Sequence, residues 1–106
     1  MSYRFMRVLV FFDLPSVEVS DKRAYVKFRK HLIKNGFMML QESVYTKLAL
    51  TQTVADSIIK SLRANSPPDG IVLMLTITEK QFSKMEYIVG KKKSATIDSD
   101  ERLIVL

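Results

Sequence analysis

The most informative stretch of this sequence is MRVLVFFDLP, residues 6–15. It is rich in the β-branched and aromatic residues typical of a strand, and Pro15 ends it because proline cannot donate to a sheet ladder. We predict a first strand from Tyr3 to Phe12. Its centre, Val8 to Phe12, is apolar without a break, whereas an antiparallel strand with one face in water alternates apolar and polar residues. We therefore expect both faces of this strand to be covered.

The rest of the chain divides into alternating helical and strand patterns, each bounded by a cap, a turn or a proline. After the first strand we predict a helix with its N-cap at Ser20, which runs to about Asn35 and is closed by Gly36. Two strands that meet near Glu42 follow within Phe37 to Leu50. The chain then continues with a second helix capped by Thr51 or Thr53, a loop from Asn65 to Gly70 and a strand from Ile71 to Thr78. The order β-α-β-β-α-β predicts an α+β fold of the ferredoxin-like kind, with a four-stranded antiparallel sheet and two helices on one of its faces.

The C-terminal part, residues 79–106, is predicted to extend a core formed by residues 1–78, all within one domain. Its predicted elements are a helical turn at Glu79 to Met85, a short strand at Glu86 to Val89 and a final strand at Arg102 to Leu106. In this topology the strand that begins at Ile71 lies at a sheet edge, which invites pairing. We expect a two-fold homodimer, sheet face against sheet face, with the C-terminal strands lying across the join. The alternative is a monomer whose own C-terminal segment folds back over the sheet.

The composition points to an anionic partner. The 106 residues include 17 Lys and Arg against 11 Asp and Glu, for a net charge of +6, and nucleic acid is the usual partner of such a chain. The absence of cysteine excludes a disulfide framework and a thiolate metal site. The sequence has neither a signal-peptide pattern nor a segment long enough to span a membrane, so we expect a cytoplasmic protein with no membrane partner.

The first predicted helix carries a line of like charges that we call the basic stripe. Projected at about 100° per residue, its apolar side lies opposite to four cations that no acidic residue interrupts. The members of the basic stripe are Arg23, Lys27, Lys30 and Lys34. A solvated face more often mixes signs, so we expect the stripe to meet a phosphate backbone, which positions a protein without specifying a base sequence. A merely solvated face is the alternative.

Three further cations are candidates for the same role. Lys91 and Lys92 begin a polar linker and would extend the footprint of the basic stripe. Arg29 projects into the apolar sector of the first helix, between Tyr25 and Ile33. It is expected either to meet Asp13 or to lie at the margin of the core with its head group in water.

Asp13 is the candidate catalytic and metal-binding residue. A single aspartate before a turn is most often a turn or capping residue, yet a strand end also delivers side chains rigidly to a site. In a two-fold dimer the second copy supplies a second Asp13, and paired carboxylates with water and phosphate oxygens suit Mg²⁺. Such an ion activates water and stabilises charge at a phosphodiester. His31, the only histidine, is expected to be a surface residue and not a general base.

A series of short motifs spread over nearly the whole chain resembles the CRISPR-associated protein 2 family, the small partner of the CRISPR integrase, in the versions that accompany type II-A systems. The motifs are FDLP at 12–15, YVKFRK at 25–30, NGF at 35–37, QESVY at 41–45, LTITEKQF at 75–82 and SDERL at 99–103. Each motif is weak by itself, whereas all of them in this order are specific.

The resemblance implies a ferredoxin-like homodimer that two integrase dimers flank and across which prespacer duplex DNA lies. It also implies a metal-dependent endoribonuclease, an activity that is not uniform across the family. The family's metal-binding aspartate maps onto Asp13, and the arginines of its first helix map onto Arg23 and Arg29. In the integration complex the catalysis belongs to the integrase, and this protein acts as the platform. A toxin-type RNA interferase or a regulatory module on the same fold are the alternatives.

Overall fold

Seven elements of secondary structure make up residues 5–90, the part of the chain that the computed structural model describes. They are β1 (Met6–Asp13), α1 (Val19–Lys34), β2 (Met38–Gln41), β3 (Val44–Ala49), α2 (Gln52–Ala64), β4 (Ile71–Thr78) and α3 (Glu79–Phe82). The predicted order β-α-β-β-α-β is confirmed, and one short helix follows it. The fold is therefore α+β and ferredoxin-like, as predicted.

The four strands form one sheet in the order β2-β3-β1-β4, and every neighbouring pair is antiparallel. Val10, in the middle of β1, lies opposite Tyr45 of β3 on one side and Met74 of β4 on the other. β1 is thus central in the sheet, which explains why its sequence is so apolar. β4 forms an edge of the sheet among the described residues, as predicted for this topology.

The core lies between the sheet and the two long helices. Alternate residues of β1 enter it, together with buried side chains of α1 and α2: Val8, Val10, Phe12, Phe28, Leu32, Ala55 and Leu62. The Phe12 ring is the centre of an aromatic cluster, with ring-centroid distances of 5.3 Å to Phe28, 5.6 Å to Tyr45 and 6.0 Å to Tyr25. Burial of each large side chain stabilises the fold by about 1.5–3 kcal/mol. Phe12 is one of these buried side chains and directly precedes the last residue of β1, so the aromatic cluster holds the end of this strand in place.

The first helix begins earlier than predicted. Its N-cap is Glu18 and not Ser20, and the Asp21 carboxylate accepts a hydrogen bond from the Glu18 backbone N–H at 3.0 Å. An acidic side chain three residues into a helix can satisfy a backbone donor at its start, and this interaction replaces the serine cap expected from the sequence. The end of the helix is as predicted, because Gly36 follows it with a φ of +88°, in the left-handed region.

Two further predictions have opposite outcomes. Thr51 caps α2, since its hydroxyl oxygen accepts a hydrogen bond from the Val54 backbone N–H at 3.1 Å, which confirms one of the two predicted caps. The predicted strand from Glu86 to Val89 is wrong, because this segment is irregular and Ile88 and Val89 are 94% and 88% exposed. A short apolar segment needs a neighbouring strand to become part of a sheet, and no described strand pairs with this one.

A charged pair attaches α3 to β1. Arg7 donates from Nε to Glu79 Oε1 at 2.8 Å and from Nη2 to Glu79 Oε2 at 2.6 Å, and its guanidinium lies 4.3 Å from the centre of the Phe82 ring. Since Arg7 alternates with Val8 along β1, it belongs to the side of the sheet opposite to the helical core. The predicted helical turn is thus present, and it is anchored at the far side of the sheet.

The face of the sheet opposite to the core, which we call the open face, is apolar and largely exposed. Along β4 its residues Ile71, Leu73 and Leu75 are 59%, 60% and 50% exposed. Their partners along β1 are Asp13, Phe11 and Leu9, of which Leu9 is shielded by its neighbours and only 3% exposed. A monomeric soluble protein rarely exposes so continuous an apolar surface, so the open face has the character of an interaction surface.

Some of the predicted features lie outside the described residues: the start of the first strand at Tyr3, the cations Lys91 and Lys92, and the final strand from Arg102 to Leu106. Within residues 5–90, none of the helices combines the length and apolar character that crossing a membrane requires.

Candidate functional site

The basic stripe is exposed along its whole length. All four of its members, Arg23, Lys27, Lys30 and Lys34, are exposed on α1, while Phe28 and Leu32 of the same helix are buried. Among residues 5–90 the ion pair found joins Arg7 to Glu79, so no carboxylate of the described chain neutralises the stripe. At 1.5 Å per residue the stripe extends for about 16 Å, which corresponds to the rise of roughly five base pairs along the axis of a DNA duplex.

Arg29 lies beside the stripe and is held by a partner that we did not predict from the sequence. Its Nε donates a hydrogen bond to the Tyr45 hydroxyl at 2.9 Å. Tyr45 is only 1% exposed, and its ring stacks on Phe12. Of the two predicted alternatives, contact of Arg29 with Asp13 is wrong, and a position at the margin of the core agrees with its partial burial. A signal was present, since a tyrosine on the core side of a strand needs a partner for its hydroxyl.

Asp13 is the last residue of β1 and its side chain is exposed. By alternation along the strand it shares the open face with Leu9 and Phe11, and it lies opposite Ile71 of β4. Within residues 5–90 its carboxylate takes part in neither a hydrogen bond nor an ion pair. The common alternative, an aspartate that caps a turn, is therefore not what the described chain shows.

The surroundings of Asp13 suit a cation that keeps most of its own water. No group of three or more His, Cys, Asp or Glu residues that could hold a metal ion occurs within residues 5–90. Mg²⁺ does not require such a cage, since it is usually bound by one or two carboxylates, several waters and the phosphates of the substrate. An exposed carboxylate without a protein partner, on a rigid strand end, fits one place in that coordination shell.

His31 is less exposed than expected. It is half-buried in a groove between α1 and α2 that Lys47 and Ser57 also line, and its Nδ1 lies 3.3 Å from the Asn35 side-chain nitrogen. The Nε2 atom is buried and has no hydrogen-bond partner among the described residues. The ring thus lies at the surface, as predicted, with its Nε2 edge covered by the groove at the end of α1. A buried nitrogen cannot act as a base on an external substrate.

The fold and the site together define a class, that of small ferredoxin-like proteins with a cationic first helix and a carboxylate at the end of β1. Residues 6–85 match the family described as CRISPR associated protein Cas2. The chain belongs to this family, which confirms the resemblance at the level of the family.

The relatives support this assignment over most of the chain. The CRISPR-associated endoribonuclease Cas2 of Treponema denticola is 54% identical over 101 residues, which cover 95% of this chain and all of that protein. The protein of the same name from Streptococcus mutans UA159 is 42% identical over 95% of this chain and 93% of its own length. The fold also matches a crystal structure of Cas2 with a TM-score of 0.57, at 23% identity over 94% of this chain and 99% of that one.

Proposed function

We propose that this protein is the dimeric platform that holds prespacer duplex DNA in the CRISPR spacer-integration complex, next to the CRISPR integrase. The observation that carries the proposal is the basic stripe. Its four cations are exposed, have no carboxylate partner within residues 5–90, and lie in one line on α1. Contacts of this kind neutralise phosphates and bind DNA without reading its sequence. A platform for prespacers of any sequence requires that property.

The proposed dimer joins two copies through their open faces. Burial of Ile71, Leu73 and Leu75, which are half exposed or more, would remove a continuous apolar surface from water. In an isologous interface each copy contributes the same patch, so the helices of both copies stay on the outside. The basic stripe of each copy then remains accessible to DNA. The predicted strand at Arg102 to Leu106 would pair across this join.

The test of the platform is reconstitution with the cognate integrase. We expect integration of a short DNA duplex to require this protein, and we expect a Lys27→Ala/Lys30→Ala variant to bind the duplex weakly and to support little integration. The matched control is Lys60→Ala, which removes an exposed lysine from α2. Equal integration with and without the protein would contradict the proposal.

A second proposed function is Mg²⁺-dependent hydrolysis of single-stranded RNA, which the name endoribonuclease of the relatives suggests. The observation that favours it is the free Asp13 carboxylate on the open face. In the proposed dimer this face brings the two copies of Asp13 to the same join. A bound Mg²⁺ would activate water and stabilise charge at the phosphodiester. The part of this chain is to hold the ion through Asp13 and to hold the RNA backbone through its exposed cations.

The nuclease is tested with Asp13→Asn, which keeps the shape of the side chain and removes its charge. We expect Mg²⁺-stimulated cleavage of single-stranded RNA by the natural protein, loss of that cleavage with a chelator, and loss in the variant. Unchanged cleavage by the variant would assign the activity to another site. Integration measured with the same two proteins separates the two functions, because a platform does not need Asp13.

A further inference from the structure

Gly70 ends the loop before β4 and has an unusual backbone. Its φ is +94°, in the left-handed region that favours glycine, and the next residue, Ile71, pairs with Asp13 across the sheet. Gly36, which ends α1, has nearly the same φ of +88°. The two glycines therefore share one conformational requirement, and only their surroundings distinguish them.

The surroundings of Gly70 leave no room for a side chain. A Cβ at this position would lie 2.7 Å from the backbone oxygen of Asp13 and 3.0 Å from the Cα of Leu14. These atoms belong to the main chain, so they cannot give way unless the end of β1 moves. At Gly36 a Cβ would meet only the tip of the Lys47 side chain, at 3.4 Å, which is ordinary van der Waals contact.

We infer that Gly70 is a positioning residue for Asp13. The missing side chain lets the start of β4 lie directly against the backbone of Asp13 and Leu14, and that contact sets where the carboxylate stands on the open face. Within residues 5–90 no hydrogen bond holds the Asp13 side chain itself, so its place depends on its backbone. This inference rests on the proposed role of Asp13 as a metal ligand.

The two-fold symmetry of the proposed dimer makes the separation of the two Asp13 carboxylates more sensitive to a substitution of Gly70. A shift of the β1 end in one copy is accompanied by the symmetric shift in the other, so the separation of the two carboxylates changes by up to twice the single displacement. Disturbing the support of a metal ligand typically weakens metal binding about 10–100-fold. A single methyl group at position 70 is therefore expected to affect the metal site strongly, although it does not touch the carboxylate.

The experiment compares Gly70→Ala with Gly36→Ala in the full-length protein. Mn²⁺ serves as the probe, and its binding is read from the paramagnetic broadening of the Asp13 backbone amide signal in NMR spectra. Both variants are expected to unfold at a lower temperature than the natural protein, because each places alanine at a left-handed φ. Only Gly70→Ala is expected to bind Mn²⁺ at least about tenfold more weakly, while both keep the DNA affinity of the natural protein.

Equal Mn²⁺ affinity in the two alanine variants would overturn the inference and leave the metal site intact. If Gly70→Ala does not fold, Gly70→Asn replaces it, since asparagine tolerates the left-handed region better and still carries a Cβ. Natural Mn²⁺ affinity in Gly70→Asn would also overturn the inference. A failure of the proposed metal site is recognised separately. In that case Mn²⁺ broadens the backbone amide signal of residue 13 as much in Asp13→Asn as in the natural protein, and the inference about Gly70 fails together with the proposed site.

Discussion

At the scale of single residues, one aromatic cluster supports both candidate functional side chains. Phe12 stacks on Tyr45, the Tyr45 hydroxyl holds Arg29, and Asp13 directly follows Phe12 in β1. The same buried rings therefore hold both Arg29 and Asp13 in position, although these two side chains do not contact each other. A side chain oriented in advance loses less conformational entropy when it binds, so the hydroxyl of this core tyrosine would contribute to the proposed DNA binding through Arg29.

Tyr45→Phe tests that role. The ring and its packing are retained, so the free energy of unfolding is expected to change by less than about 1.5 kcal/mol, the usual contribution of one hydrogen bond. Duplex DNA binding is expected to weaken a few-fold, because the Arg29 guanidinium loses its support. Fluorescence anisotropy at fixed salt measures the affinity.

A double-mutant comparison decides whether Tyr45 acts through Arg29. If it does, adding Tyr45→Phe to an Arg29→Ala variant causes no further loss of affinity. Additive losses would mean that the hydroxyl affects DNA binding by another route.

At the scale of elements, the attachment of α3 depends on the pair formed by Arg7 and Glu79. Their side chains are only 13% and 29% exposed, so loss of one partner leaves a poorly solvated charge. We expect Glu79→Gln to lower the free energy of unfolding by about 1–2 kcal/mol in urea titrations. Glu86→Gln, at an exposed position, is the control and is expected to stay within about 0.5 kcal/mol of the natural protein. Equal effects of the two changes would contradict a stabilising role for the pair.

The basic stripe gives the second prediction at this scale. Lys27→Ala removes one phosphate contact, so duplex binding should weaken to the same degree on unrelated DNA sequences. The slope of log affinity against log salt should fall by about one unit. Lys60→Ala on α2 is the control and should leave the slope unchanged. A loss that depends on the DNA sequence would argue against contact with phosphates.

The elements were largely predictable from the sequence, and the details of their ends were not. The order of strands and helices follows from apolar periodicity and from local signals such as Gly36 and Thr51, which act within a few residues. The start of α1 differs because the Asp21 carboxylate accepts a hydrogen bond from the Glu18 backbone N–H, and this interaction prevails over the usual preference for serine at an N-cap. The contacts of Arg29 with Tyr45 and of Gly70 with Asp13 join distant parts of the chain. No local pattern identifies these pairs of residues, although the core-facing hydroxyl of Tyr45 indicates that some partner is needed.

At the scale of the whole molecule, charge and apolar surface are separated. The basic stripe lies on a helix that packs against one face of the sheet, while the exposed Ile71, Leu73 and Leu75 belong to the other face. One side of the protein is thus suited to phosphates and the other to an apolar partner. In the proposed dimer a second copy of the chain would cover the apolar side without covering the cations, and it would bring a second Asp13 to the same face. This arrangement would link the proposed DNA binding, dimerisation and metal site.

The last prediction concerns the dimer. Leu73 lies in the middle of the exposed part of β4, opposite Phe11, and is 60% exposed in the single chain. Leu73→Lys is expected to leave the monomer folded, because a lysine there can reach water. In the dimer the same lysine would be desolvated without a partner, which is expected to weaken association at least about 100-fold. Sedimentation at micromolar concentration should then give the mass of a monomer, whereas the natural protein is expected to give the mass of a dimer.

The matched control is Val26→Lys, at an apolar position of α1 that is 46% exposed and lies on the helical side. It introduces the same charge and should leave the protein dimeric. Since the proposed cation site needs one Asp13 from each copy, Leu73→Lys should also lose Mg²⁺-stimulated RNA cleavage, while Val26→Lys keeps it. A Leu73→Lys protein that sediments as a dimer would place the interface elsewhere. A monomer that cleaves RNA as well as the natural protein would show that a single Asp13 is sufficient.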